Sequence, residues 1–302
     1  MKKFRPILRW IFKLALLLVL FSAFFILGSM AMTAIPENAV SEPGLVSETS
    51  GLLIYAGSHV AIIVLLILTS RWRGIELSAA LSFSYYGAVT VLTQIETWYF
   101  LSSLTVSEEL LFQLFLMGMP VAFLFIPLAV WIVGDTRMIS NGGKKFMQSI
   151  PAKQWMLKLA VIAIVYVMLY WLAGYFIAWQ NPELRAFYGS PGKITHFFEH
   201  TMNTLQNDPW LFPFQVLRAL LWTACVLPII RGSGVNVWWT ALLVGLFLSV
   251  PQNIGHILAN PLIPDASVRM SHMIETASST FLFGVIIVWL LHRKHDSVRD
   301  LF

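Results

Sequence analysis

Residues 51–70 read GLLIYAGSHVAIIVLLILTS, twenty positions without one Asp, Glu, Lys or Arg. A helix of that length spans about 30 Å, the thickness of a bilayer's hydrocarbon core. Inside lipid no water is present to bond exposed N–H and C=O groups, so such a run crosses as a helix. Seven further stretches are as long and mostly apolar, with at most two charged residues each, and the spans fall near 11–33, 51–70, 76–101, 109–134, 155–179, 211–230, 235–257 and 268–292. The expected fold is all-α: a polytopic integral membrane protein of about eight transmembrane helices. Composition agrees, since 58% of the 302 residues are hydrophobic and 12% charged, about half the charged share of a soluble domain.

The net charge of +5 is placed by topology, and no nucleic-acid partner is expected. Basic residues gather at Lys2 to Lys13, Arg71 to Arg73, Arg137 to Lys158, Arg231 and His292 to Arg299, alternating with stretches poor in Lys and Arg. Because Lys and Arg favour the cytoplasmic side, both termini are expected there, in the cell membrane. Lys2, Lys3 and Arg5 before an apolar run, with Ala31-Met32-Thr33-Ala34 after it, resemble a signal peptide. The run is too long for a typical signal core, which favours an uncleaved anchor. Cys225 is alone and intramembrane, so no intrachain disulfide forms.

The basic loop 135–154 divides the spans four and four, giving halves 1–134 and 155–302. Trp10-Ile-Phe-Lys13-Leu-Ala opens the first half as Trp155-Met-Leu-Lys158-Leu-Ala opens the second, 145 residues apart (155 − 10). Pro36-Glu37 and Pro182-Glu183 follow these spans. Arg71 and Gly74 correspond to Arg231 and Gly234, and Glu96 to His256, at a separation of 160 (231 − 71). Trp131 and Trp289 close the two halves. This order of landmarks predicts an internal duplication, two parallel four-helix repeats with a ligand site between them. Between spans five and six, Ser190 and Pro191 read as the start of an amphipathic helix near 190–208, striped by Ile194, Phe197, Phe198, Met202 and Leu205 and lying on the outer surface.

An ionisable group at a span centre costs roughly 2.5–3.5 kcal/mol on insertion scales. His59, Glu96, Arg218, His256, His272 and Glu275 all carry that cost, and the topology puts all six in the outer half of the bilayer. Glu96, Arg218, Gln252, Asn253, His256, His272 and Glu275 are therefore the expected lining of a polar ligand pocket; Gln252, Asn253 and His256 follow Pro251, which frees a carbonyl. Arg269, His272 and Glu275 recur every third residue along one helix face.

The sequence His196-Phe197-Phe198-Glu199-His200 resembles the H-x-x-E-H pattern of the inverzincin metallopeptidases. The resemblance implies zinc held by His196 and His200, with Glu199 as general base and Glu275 as a further ligand. His272 and Glu275 form a second two-residue metal candidate, and a divalent metal is the one cofactor the sequence suggests. The plainer reading of 196–200, polar residues on the wet side of an interfacial helix, is preferred. Glu108-Glu109-Leu110-Leu111-Phe112-Gln113 partly resembles the Glu-Glu-x-x-x-Arg motif of CAAX-type intramembrane proteases, but Gln113 replaces the arginine and the spacing to His256 and Asn260 does not fit.

No phosphate-binding loop, dinucleotide fingerprint or nucleophile elbow is present. Three functions follow as expectations: binding or transport of a small solute or ion, a membrane-embedded metal-dependent hydrolase, and an assembly subunit that packs against partners.

Overall fold

The computed structural model describes residues 4–34, 41–134 and 151–292. Most of the basic loop, the Pro36-Glu37 pair and the outermost terminal residues lie outside these. Eight of its helices are long and apolar enough to cross a membrane: α1 (Ile7–Ser29), α2 (Glu48–Thr69), α3 (Gly74–Leu101), α4 (Glu108–Gly134), α5 (Ala152–Ala178), α8 (Leu211–Gly232), α9 (Val237–Ile257) and α10 (Ala266–His292). Two short helices, α6 (Pro182–Phe187) and α7 (Phe197–Asn207), sit between α5 and α8. The chain is an all-α, multi-pass membrane protein.

The helix expected over 190–208 is shorter, running over the 11 residues Phe197–Asn207. Asn181 caps α6 by accepting from the Glu183 amide, with Pro182 in the first turn, and Gly189 ends that turn with φ +74°. The chain from Ser190 to Thr195 is not helical, and His196 occupies the N-cap of α7 in extended backbone. A left-handed glycine followed by Ser-Pro-Gly is a helix stop, and helix resumes only at Phe197, inside the stripe that follows.

Local residues account for the span ends. Ser47, Ser107 and Asn236 cap α2, α5's predecessor α4 and α9 through their side chains. Gln113 in α4 accepts from the amides of Thr33 (2.8 Å) and Ala34 (2.9 Å), so the segment that partly resembled a protease motif fastens the end of α1.

Contacts repeat between the two halves at fixed separations. Lys13 on α1 donates to the Ile132 carbonyl of α4, and Lys158 on α5 donates to the Leu290 carbonyl of α10 at 2.7 Å. The lysines are 145 apart (158 − 13) and the acceptors 158 apart (290 − 132). The same two separations relate the ring pair Phe21–Phe125 (5.3 Å) to Tyr166–Phe283 (4.7 Å). At the same end of the bundle as the two lysines, the α2–α3 and α8–α9 connections pair directly: the Arg71 amide donates to Gly232 and the Gly234 amide to Thr69, each at 2.8 Å, about a Ser70–Ser233 bridge.

Beside these shared contacts the halves differ in filling. In the first, Phe21, Phe25, Tyr55 and Phe125 pack together around His59, which is wholly buried. Its Nδ1 lies 2.5 Å from the Tyr85 hydroxyl. His59 stands midway along α2 and does not join the other ionisable groups. In the second half the space beside Tyr166 is open.

α9 and α10 cross closely at Gly245 and Gly284, where a Cβ on Gly284 would come within 2.8 Å of the Gly245 Cα and 3.0 Å of the Val244 carbonyl. Small residues at a crossing let backbones approach without the hydrophobic drive that water supplies. Gly284→Val is expected to destabilise the protein by about 1–3 kcal/mol, read as a lower melting temperature in detergent, whereas Gly57→Ala, inside α2 where a Cβ meets nothing, should not lower it.

Candidate functional site

A cavity of about 350 Å³ lies among α3, α5, α8, α9 and α10, with α6 and α7 across one end. Glu96, Arg218, Gln252, Asn253, His256, His272 and Glu275 all line it. Its walls come from the second half, except for Thr93, Glu96, Thr97, Phe100 and Leu101 of α3. The cavity thus sits inside one half, closed by a single helix of the other, rather than midway between two equivalent repeats.

Arg218 is 3% exposed on α8 and forms an ion pair with Glu96 across the cavity wall. Its Nη1 donates to Gln215 Oε1 at 2.9 Å, three residues earlier on the same helix face. The guanidinium lies over the rings of Tyr166 and Phe214, 5.7 Å from each centroid, a distance at which ring quadrupoles attract a cation.

The second cluster is on α10. His272 Nδ1 lies 3.4 Å from Glu275 Oε2, and its Nε2 lies 3.0 Å from the Tyr188 hydroxyl. Burial pushes the Tyr188 phenol well above its ordinary range, with the Glu96 and Glu275 charges adding to the shift, so it keeps its proton. The arrangement that satisfies both contacts has Tyr188 donating to Nε2 and Nδ1–H donating to Glu275. The His256 ring faces that of His272 with 6.4 Å between centroids. Asn253 meets Thr276 from α10 and donates to the Ser249 carbonyl at 2.7 Å. Gln252 likewise donates to the Leu248 carbonyl, so these amides serve the α9 backbone as well as the cavity. α6 is held on α10 by Asn181, whose amide donates to Ser271 Oγ at 2.9 Å and to the Ser267 carbonyl at 3.2 Å.

Arg269 departs from the face it shares in sequence with His272 and Glu275. It is 1% exposed and donates to four carbonyls, those of Ile263, Pro264, Glu42 and Pro43, at 2.6–3.0 Å. It ties the segment before α2 to the turn before α10, away from the cavity.

The H-x-x-E-H residues separate. His196 and Glu199 are exposed, while His200 lines the cavity between Tyr175 (5.3 Å) and Trp179 (5.0 Å). Burial holds its pKa below the ordinary histidine value. His196 is the N-cap of α7, its carbonyl accepting from the His200 amide at 2.8 Å, and of the two histidines only His200 lines the cavity. Among the described residues no group of three His, Cys, Asp or Glu side chains is placed to hold a metal, and His272 with Glu275 makes a pair only.

What residue patterns left out is the aromatic wall: Tyr166, Tyr170, Trp171 and Tyr175 on α5, Trp179 at its C-cap, and Tyr188 after α6. A signal was present, since Tyr166, Tyr170, Tyr175 and Trp179 recur at four- and five-residue steps on one helix face, but aromatic residues near interfaces read equally as anchors. Trp98, Trp210, Trp238 and Trp239 do match that reading, being 54–75% exposed. A second recess, about 750 Å³ between α3, α4 and α8, is lined by apolar and small side chains around Ser78, Ser82 and Cys225 and holds no charged group. Comparison of the chain with family models, with curated proteins and with solved structures finds no match.

Proposed function

We propose that this multi-pass membrane protein binds a small polar solute in the α3–α5–α8–α9–α10 cavity and serves as a transporter or as the binding component of one. The observation that carries the reading is convergence. Seven polar and ionisable side chains from four spanning helices line one cavity at membrane depth, although each would be costly facing lipid. The volume lies in the range of small-molecule sites.

The recurring Lys–carbonyl and ring contacts support an origin by duplication, in which one copy kept a packed core and the other became hollow. The Lys and Arg distribution would turn the α6–α7 end outward, making α7 a cover over an outward-facing cavity.

The test is equilibrium dialysis of detergent-purified protein against a mixture of small polar solutes, with mass-spectrometric readout. Wild type is expected to retain a solute that a folded Glu96→Gln/His256→Ala variant loses by at least tenfold. Equal retention by both proteins, or none by either, would overturn the cavity as the binding place.

A further inference from the structure

We propose that the solute is an organic cation, an ammonium compound carrying one positive charge; this rests on the binding reading above and adds the chemical class. Charge and wall chemistry lead to the same class independently. Among the described residues the lining carries three carboxylates, Glu96, Glu275 and Asp208, and one arginine or lysine, Arg218. Arg218 is committed to Glu96. Asp208 accepts from the Tyr99 hydroxyl with both oxygens, at 2.8 Å each. Glu275, 7% exposed, has one side-chain partner among the described residues, His272 at 3.4 Å. Among the described residues it is the cavity glutamate that pairs with no arginine or lysine, and a positively charged ligand would supply that partner.

The uncharged lining suits the same ligand. Tyr166, Tyr170, Trp171, Tyr175, Trp179 and Tyr188 surround the space, and electron-rich ring faces are the usual walls of sites for alkylammonium and quaternary ammonium groups. The protein already uses this contact internally, with the Arg218 guanidinium over Tyr166 and Phe214. A bare metal cation is a poor match, because among the described residues no three acidic, histidine or cysteine side chains converge, and about 350 Å³ is far more space than one ion fills. An anion would have to displace Glu96 from Arg218 and sit beside Glu275.

Isothermal titration of the full-length protein in detergent tests the class with four probes. Choline and tetraethylammonium are the cations, 3,3-dimethyl-1-butanol is the neutral shape match of choline, and 3,3-dimethylbutanoate is the anion. The cations are expected to bind at least tenfold more tightly than the neutral match, with no measurable binding of the anion. Glu275→Gln should weaken the cations at least tenfold while leaving the neutral probe's affinity and the melting temperature unchanged. Tyr170→Leu should weaken the cations as well, by removing a ring without altering charge. Binding of the alcohol as tightly as choline, or preference for the carboxylate, would overturn the cation class and leave the cavity as a binding site. Absence of binding by every probe, beside a solute retained in the dialysis experiment, would also overturn the class alone; absence in both experiments would overturn both proposals.

Discussion

Arg218→Met is expected to be among the most destabilising substitutions in the cavity, lowering stability by about 3–5 kcal/mol, the cost of breaking a buried ion pair by removing one partner. Arg218 is 3% exposed, pairs with Glu96, donates to Gln215 and lies over two rings. Its loss would leave Glu96 and Glu275 lining one cavity at membrane depth with no arginine or lysine between them. The carboxylates must then either stay charged without a partner or take up a proton, and both cost free energy relative to the pair. Glu96→Gln/Arg218→Met should recover much of the loss, because removing both charges leaves none uncompensated. Arg218→Lys should recover little, since an ammonium cannot reproduce the planar fork that meets Glu96 and Gln215 together. The measurement is a double-mutant cycle on thermal melting in detergent, with an expected coupling of at least about 1 kcal/mol. Strictly additive losses would show that the pair contributes no mutual stabilisation.

Arg269→Ala should be comparably severe for a different reason. Four carbonyls from two segments share its guanidinium, and each loses a charge-assisted donor in a place the side chain had sealed at 1% exposure. Hydrogen bonds to charged groups contribute roughly 1.5–3 kcal/mol each, and buried acceptors left without donors cost similar amounts. A loss of about 3 kcal/mol or more is therefore expected. The segment being tied also depends on Gly44, where a Cβ would come within 2.5 Å of the Ile257 carbonyl, and on the amides of Glu42 and Leu45, which donate to Pro264 at 3.0 Å and Ile257 at 2.9 Å. Hydrogen exchange should show these two amides opening first in Arg269→Ala. Arg269→Lys should give only partial recovery, because one ammonium cannot bridge both segments. An unchanged melting temperature with unchanged exchange at Glu42 and Leu45 would refute the structural role assigned to Arg269.

These two arginines show how far a sequence can be read. Both are charged residues within apolar spans, and insertion cost alone marks each as special. Their destinations differ through geometry that spacing does not carry. Arg269 shares a helix face with His272 and Glu275, yet at the start of α10 its long side chain reaches the carbonyls of the preceding turn. Arg218, on α8, meets Glu96, 122 residues earlier in the chain.

The sequence by itself determined class, number of spans and seven of the polar residues that line the cavity, because the hydrocarbon core penalises every unpaired polar group and so writes a long, one-dimensional signal into the chain. Local signals failed where two of them competed: the amphipathic stripe from Ile194 to Leu205 pointed to one long helix, and Gly189 with the turn after it confined α7 to Phe197–Asn207. Only the tertiary structure decided that His59 is enclosed by aromatic rings in one half, that His196 and His200 part company, and that α5 contributes an aromatic wall. Each of these depends on which helix faces are brought together, and helix packing in a membrane is chosen by shape and close approach, as at Gly245 and Gly284, rather than by the hydropathy a sequence displays.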